Sequence, residues 1–225
     1  MKKVTAIVPN SLADITLGQY QKYDKLLQQN KDAEEDRFVH LKMLQIFCGL
    51  SYDDANNIRL VDFEKIITKL YDVLLEKPKL VTTFTIGDTE FGFIPDLENM
   101  TFGEFIDLEN FISDIQDLEK AMAVLYRPIK QKRNGKYLIK KYEGDLYHEA
   151  MKYTPMDAVT GSMLFFWSLG IDCLTAILNY SEKGEETKEL LQKRKVLEKN
   201  GDGSLQSTNS LKMILQDLTM LRNLE

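Results

Sequence analysis

Histidine and cysteine are scarce in this chain, two of each among 225 residues, and that scarcity removes several chemistries at once. A metal centre built on imidazole and thiolate needs three or four such ligands at fixed spacing, and neither His40 nor His148 has a ligand-spaced partner. His148-Glu149-Ala150-Met151-Lys152 opens like the helix of a zinc protease but has Lys where the second His must stand. Cys48 and Cys173 each lie in an apolar stretch, where a buried free thiol is the common state; this fits a reducing compartment. Long hydrophobic runs are missing as well. The longest uncharged stretch, 158–171, is bounded by Asp157 and Asp172 and falls short of the ~20 residues a bilayer requires, so it reads as a buried helix. The apolar segment after Met1-Lys2-Lys3 is too short for a signal-peptide core of about 7 to 15 residues. No excess of basic charge exists: the net charge of −6 argues against a protein whose main task is to hold nucleic acid. Phosphate-cradling glycine runs and a Gly-x-Ser-x-Gly elbow are also absent.

What is present is an ordinary globular composition, 44% hydrophobic and 28% charged, long enough to bury a core as one large domain or two small ones. The pattern predicts a mainly α protein with small β-hairpins, an α+β fold, in which one unit is written twice. Val4 to Val8 reads as a strand; Pro9 follows, and Thr16 with Gln19 forms a capping box at the start of a helix, stapled by Ile15 and Tyr20. Phe91 to Ile94 reads as a strand; Pro95 follows, and Thr101 with Glu104 forms the second box, stapled by Met100 and Phe105. Residues 8–27 lie over 94–112 with one gap, keeping Pro9/Pro95, Leu12/Leu97, Thr16/Thr101 and Gly18/Gly103 identical. Glycine costs about 1 kcal/mol in a helix, so shared ancestry or close packing would account for its recurrence; the alternative is two independently good helix starts that look alike.

This gives a first helical repeat over 1–80, a second repeat with two hairpins over 81–180, and a charged linker with an amphipathic C-terminal helix over 181–225. In the first repeat, helices are expected over 33–48, from Ser51, and over 62–76, the last ended by Pro78. The hairpins are expected around Gly87-Asp88 and around Asn134-Gly135. A long helix opening at Pro155 carries Phe165, Phe166 and Trp167, which reads as core before cavity lining.

No constellation matches a common catalytic arrangement, and the chain is expected not to be an enzyme and to need no cofactor. Asn200 to Ser204 resembles a calcium loop but has Leu205 where Gly is required. Asp96, Glu98, Asp107 and Glu109 fall at loop or helix-surface spacing, with nothing to split their pKa values. Two contact surfaces remain. Lys130, Lys132, Arg133, Lys136, Lys140 and Lys141 gather on the second hairpin, either as a solvated face or as a basic contact patch, the one place where nucleic acid contact is plausible. Leu211, Ile214, Leu218 and Leu221 form an apolar stripe behind a glycine-containing break, suited to the chain's own core or to another subunit.

The stretch Phe91-Gly92-Phe93-Ile94-Pro95-Asp96-Leu97-Glu98-Asn99-Met100-Thr101-Phe102-Gly103-Glu104-Phe105-Ile106-Asp107-Leu108-Glu109, with Ala121 to Ile129 and Pro155 to Ala158, resembles a protein family of crAss-like tailed phages of Bacteroidales; the likeness covers roughly residues 1 to 180. It carries no functional residue over. It implies a virion protein of the capsid, neck or tail, or cargo packed with the genome: a non-enzymatic, virion-associated protein, tail-borne or cargo, that contacts other phage structural proteins or itself and no membrane. Its location would be the virion, and the host cytoplasm during assembly. The alternative is a tail-assembly chaperone that leaves before the particle is complete.

Overall fold

The computed structural model describes residues 5–30, 36–97 and 100–180, with side chains described to 169, Asp36 excepted, and at Ile171. It is a mixed α+β fold, with eight α-helices and one four-stranded antiparallel sheet among the described residues. In chain order these are α1 (Leu17–Gln29), α2 (Asp36–Cys48), α3 (Tyr52–Asn56), α4 (Leu60–Leu74), β1 (Thr83–Ile86), β2 (Thr89–Phe93), α5 (Phe102–Phe111), α6 (Leu118–Leu125), β3 (Tyr126–Arg133), β4 (Lys136–Ile139), α7 (His148–Met151) and α8 (Met156–Tyr180).

Both capping boxes form. The Thr16 hydroxyl accepts from the Gln19 amide at 3.3 Å while Gln19 Oε1 accepts from the Thr16 amide at 2.9 Å. At α5 the Thr101 hydroxyl accepts from the Glu104 amide at 3.3 Å and Glu104 Oε2 accepts from the Thr101 amide at 2.7 Å. Ser51 caps α3 through the Asp54 amide, as its spacing predicts. The strand expected at Val4 to Val8 does not form: residues 5–9 have no strand partner, and Val8 packs on the core by its side chain. A ladder needs a neighbour, and β1 pairs only with β2. Thr16 makes an isolated antiparallel bridge to Pro155 instead. The helix expected over 62–76 starts and ends two residues earlier, which releases Glu76 to accept from the Leu12 amide at 3.1 Å.

The two hairpins join in one sheet. The start of β3 pairs with β2 (Phe91↔Pro128, Gly92↔Arg127, Phe93↔Tyr126), and its remainder pairs with β4, giving the order β1-β2-β3-β4. Phe84, Phe91, Phe93 and Tyr126 gather on one face, where Phe93 meets Phe165 and Phe166 of α8 at 5.8 and 6.2 Å between ring centroids. The buried Tyr126 hydroxyl donates to the Val81 carbonyl at 2.7 Å.

The first turns of α8 run through the core, with Met156, Ala158, Val159, Met163, Phe166 and Trp167 buried. Its Gly161 sits against the segment joining α4 to β1, so close that a β-carbon there would lie 2.4 Å from the Lys79 carbonyl oxygen. A backbone clasp joins the start of α8 to the start of α1. The Leu17 and Gly18 amides donate to Thr154 and Lys152 carbonyls at 2.9 and 2.8 Å, and the Met156 amide donates to the Ile15 carbonyl at 2.8 Å. The Gln19 and Tyr20 amides turn to Thr16, so all four first-turn amides of α1 have acceptors. One hydrophobic cluster draws on both 1–80 and 81–180.

Candidate interaction surface

Asn134 and Gly135 both take positive φ, 51° and 76°, the type I′ geometry that matches the twist of a two-residue hairpin. The partners around the turn are Arg133↔Lys136, Lys132↔Tyr137, Gln131↔Leu138 and Ile129↔Ile139, with a register shift at Lys130. That bulge bends β3, so the hairpin folds back over the sheet. Tyr137 fixes the fold-back. Its ring lies over Gly92, where a β-carbon would meet it at 2.6 Å, and its hydroxyl donates to the Phe93 carbonyl at 2.8 Å. Burial pushes the Tyr137 phenol above its ordinary pKa, which keeps it a donor. Lys132 ties the same face to Glu90 of β2.

All six basic residues of the expected patch stand exposed on this one element: Lys130, Lys132, Arg133, Lys136, Lys140 and Lys141. Lys132 is paired with Glu90, and Lys140 lies 3.4 Å from the Tyr147 hydroxyl. Among the described residues, Lys130, Arg133, Lys136 and Lys141 face no carboxylate within ion-pair distance. Leu138 stands among them, 62% exposed. Between the hairpin tip and the lead-in to β1 is an open depression of about 360 Å³, lined by Thr82, Thr83, Lys132, Arg133, Asn134, Gly135 and Tyr137.

A buried ion pair lies beneath this surface. Arg127 of β3 donates from Nη1 to Glu104 Oε1 at 2.6 Å, and both residues are more than nine-tenths buried. The Arg127 Nε is buried without an acceptor among the described residues. Glu104 thus serves two groups, the Thr101 amide with one oxygen and the guanidinium with the other. Gln19, its counterpart in α1, also works twice, capping with Oε1 and donating from Nε2 to the Ile46 carbonyl at 2.9 Å. The sequence carried a faint signal for the pair, a single charge inside the apolar run from Ala121 to Ile129. Gly92 inside a strand was the corresponding signal for the close approach of Tyr137. Nothing in the local pattern indicated the clasp at α1 or the buried bond from Gln21 Nε2 to Glu119 at 2.5 Å.

The other residues singled out in the sequence have structural surroundings. His40 Nε2 lies 3.1 Å from the Tyr71 hydroxyl; the His148 ring meets Phe111 edge-on, with its Nε2 buried and unpartnered among the described residues. Asp107 accepts from the Tyr142 hydroxyl at 2.8 Å, and burial together with that carboxylate drives the Tyr142 pKa far above its ordinary value. Asp96 is exposed and Glu109 half-buried, each with interactions of its own, and Glu98 lies outside the described residues. Among the described residues no three His, Cys, Asp or Glu are placed to hold a metal ion, and no helix is long and apolar enough to cross a membrane. Phe166 and Trp167 are buried and Phe165 is half-buried on Phe93, as core. Leu211, Ile214, Leu218 and Leu221, the segment Asn200 to Ser204, and the Cys173 side chain lie outside the described set. No protein-family model, no curated protein and no solved structure matches this chain.

Proposed function

We propose that this chain is a non-enzymatic, virion-associated protein of a tailed phage, tail-borne or carried as cargo, that works through contacts with other phage proteins. The observation that carries the contact reading is the set of large apolar side chains left exposed, with Leu60, Val61, Leu75, Phe102 and Tyr153 each more than half exposed. The phage setting rests on the resemblance of residues 91–109, 121–129 and 155–158. Of the residues nearest to a catalytic pattern, Asp107 accepts from the Tyr142 hydroxyl and His148 packs edge-on against Phe111. Mass spectrometry of purified particles tests the reading. Many copies per particle support it; absence from particles, with presence in infected cells, favours a tail-assembly chaperone that is not retained.

The segment 201–225, with Leu211, Ile214, Leu218 and Leu221, belongs to the same proposal as a site of self-association or of docking on another subunit. Removing it should leave a folded body with a lower mass by light scattering or without incorporation into particles. An early-melting or insoluble remainder would assign the stripe to the chain's own core.

We also propose that the two capped helices descend from one duplicated unit. Their glycines support this by differing. Gly18 packs on Lys152, where a β-carbon would lie 3.1 Å from a carbonyl oxygen, whereas nothing lies within 4 Å of a β-carbon at Gly103. Close packing accounts for the first glycine; common descent accounts for the second.

A further inference from the structure

We propose that the β3–β4 hairpin binds the phosphodiester backbone of a nucleic acid. Residues 130–141 hold six cations and no acid, while the rest of the chain carries 23 basic against 35 acidic side chains, a net −12. The acidic total therefore hides one strongly basic element, and the fold exposes every one of its charges. Arg133 and Lys136 are direct cross-strand partners, an arrangement in which like charges repel and destabilise a sheet. No carboxylate among the described residues relieves them, so the pair stands ready to meet an anion.

The chemistry of the adjoining depression narrows the anion. Thr82, Thr83, Lys132, Arg133, Asn134 and Tyr137 line it, none a carboxylate; Tyr137 already donates to backbone carbonyls and Lys132 to Glu90, which leaves Thr82, Thr83, Arg133 and Asn134 as donors. The ligand that suits such a wall is negative and accepts only. A phosphodiester is both, and the planar fork of Arg133 suits two of its oxygens. The strand period places Gln131, Arg133, Lys136 and Leu138 on the face turned away from Tyr137 and the sheet, with Lys132 on the other. The free face therefore presents Arg133 and Lys136 side by side, and the same period carries it on to Lys140, a row of cations along which a phosphodiester backbone can lie. A nucleic acid repeats its phosphate at every nucleotide along such a row, which an acidic protein surface does not. Lysines on an edge strand also deter pairing between sheets, which gives the competing account of Lys136 and Lys140.

Fluorescence anisotropy of the full chain with a labelled DNA duplex of about three helical turns, and with one of its strands alone, tests the proposal and tells duplex from single strand. Binding to either should weaken roughly hundredfold between about 50 and 200 mM salt if four phosphates are neutralised. The triple variant Arg133→Gln, Lys136→Gln, Lys140→Gln, shown folded by circular dichroism and melting, should flatten the logarithmic salt slope by about 2 to 3. Arg133→Lys with Lys136→Arg, which keeps the charge, should retain most of the binding. The proposal is overturned if the wild-type chain binds neither probe at low salt, or if polyglutamate of equal charge competes as well as DNA does. It is also overturned if the triple variant binds unchanged or merely self-associates, the sign of an edge guard. These outcomes are independent of whether the protein is found in particles.

Discussion

Glu104 holds two groups at once, and three variants separate the cap from the ion pair. Thr101→Ala takes away only the hydroxyl that receives the Glu104 amide, at about 1 kcal/mol. In a chain of this size that lowers the melting temperature by roughly 2 to 4 °C. Glu104→Ala should cost about 3 to 5 kcal/mol, because it leaves Arg127 charged and buried with nothing opposite. The double variant Glu104→Gln, Arg127→Met should regain most of that loss, since Gln19 already performs the same capping role in α1. Thermal melts of the three variants check the ranking; equal losses would mean that the pair is inert. Cys48 gives a pH-dependent reading. Burial pushes its thiol up to about 11, above the ordinary value near 8.5, so the folded state holds that proton more tightly than the unfolded one. Stability should therefore fall as pH rises from about 8.5 to 11, and Cys48→Ala should flatten this part of the curve. Denaturant midpoints across the range measure it.

At the scale of elements, glycines decide which surfaces touch. Gly161→Ala would drive a β-carbon into the Lys79 backbone, so the α8 contact must open and stability should fall by about 1 to 3 kcal/mol. Gly103→Ala meets open space and should raise stability by about 0.5 to 1 kcal/mol, as alanine in place of helical glycine does. A loss at position 103 would count against the glycine as an inherited relic. The helix starts were legible because a capping box is local: Thr16, Ser51 and Thr101 each sit within three residues of the group they bind. The Asn134-Gly135 turn was legible for the same reason. The expected strand at Val4 to Val8 failed because a strand depends on a neighbour, and short-range pattern does not say which segment arrives beside it. The junction of the two hairpins through Gly92↔Arg127 was hidden by the 34 residues that separate its halves. In the candidate surface, the six cations could be read directly, whereas Tyr137 over Gly92 and Glu104 under Arg127 arise from segments far apart in sequence.

For the whole molecule, the clasp between residues 15–18 and 152–156 ties the first helix to the last described one. A chain ended at residue 151 keeps α1 to α7 but loses the acceptors of the Leu17 and Gly18 amides and the buried side chains of α8. It should lack a cooperative thermal transition; a sharp melt from such a fragment would show that α8 is dispensable. The clasp also sets an order in time. Leu17 precedes Thr154 by 137 residues, so the contact is about as non-local as this fold allows, and contacts of that kind slow folding. At about 5 to 20 residues per second, a ribosome needs roughly 7 to 27 s to deliver the acceptor after the donor has been made. For that interval the apolar face of α1 is without its final cover, and a nascent chain in that condition is a substrate for holding chaperones and a hazard at high expression. Slowing synthesis should therefore lower the soluble yield of this protein, the reverse of what is expected for a chain whose halves complete themselves in turn.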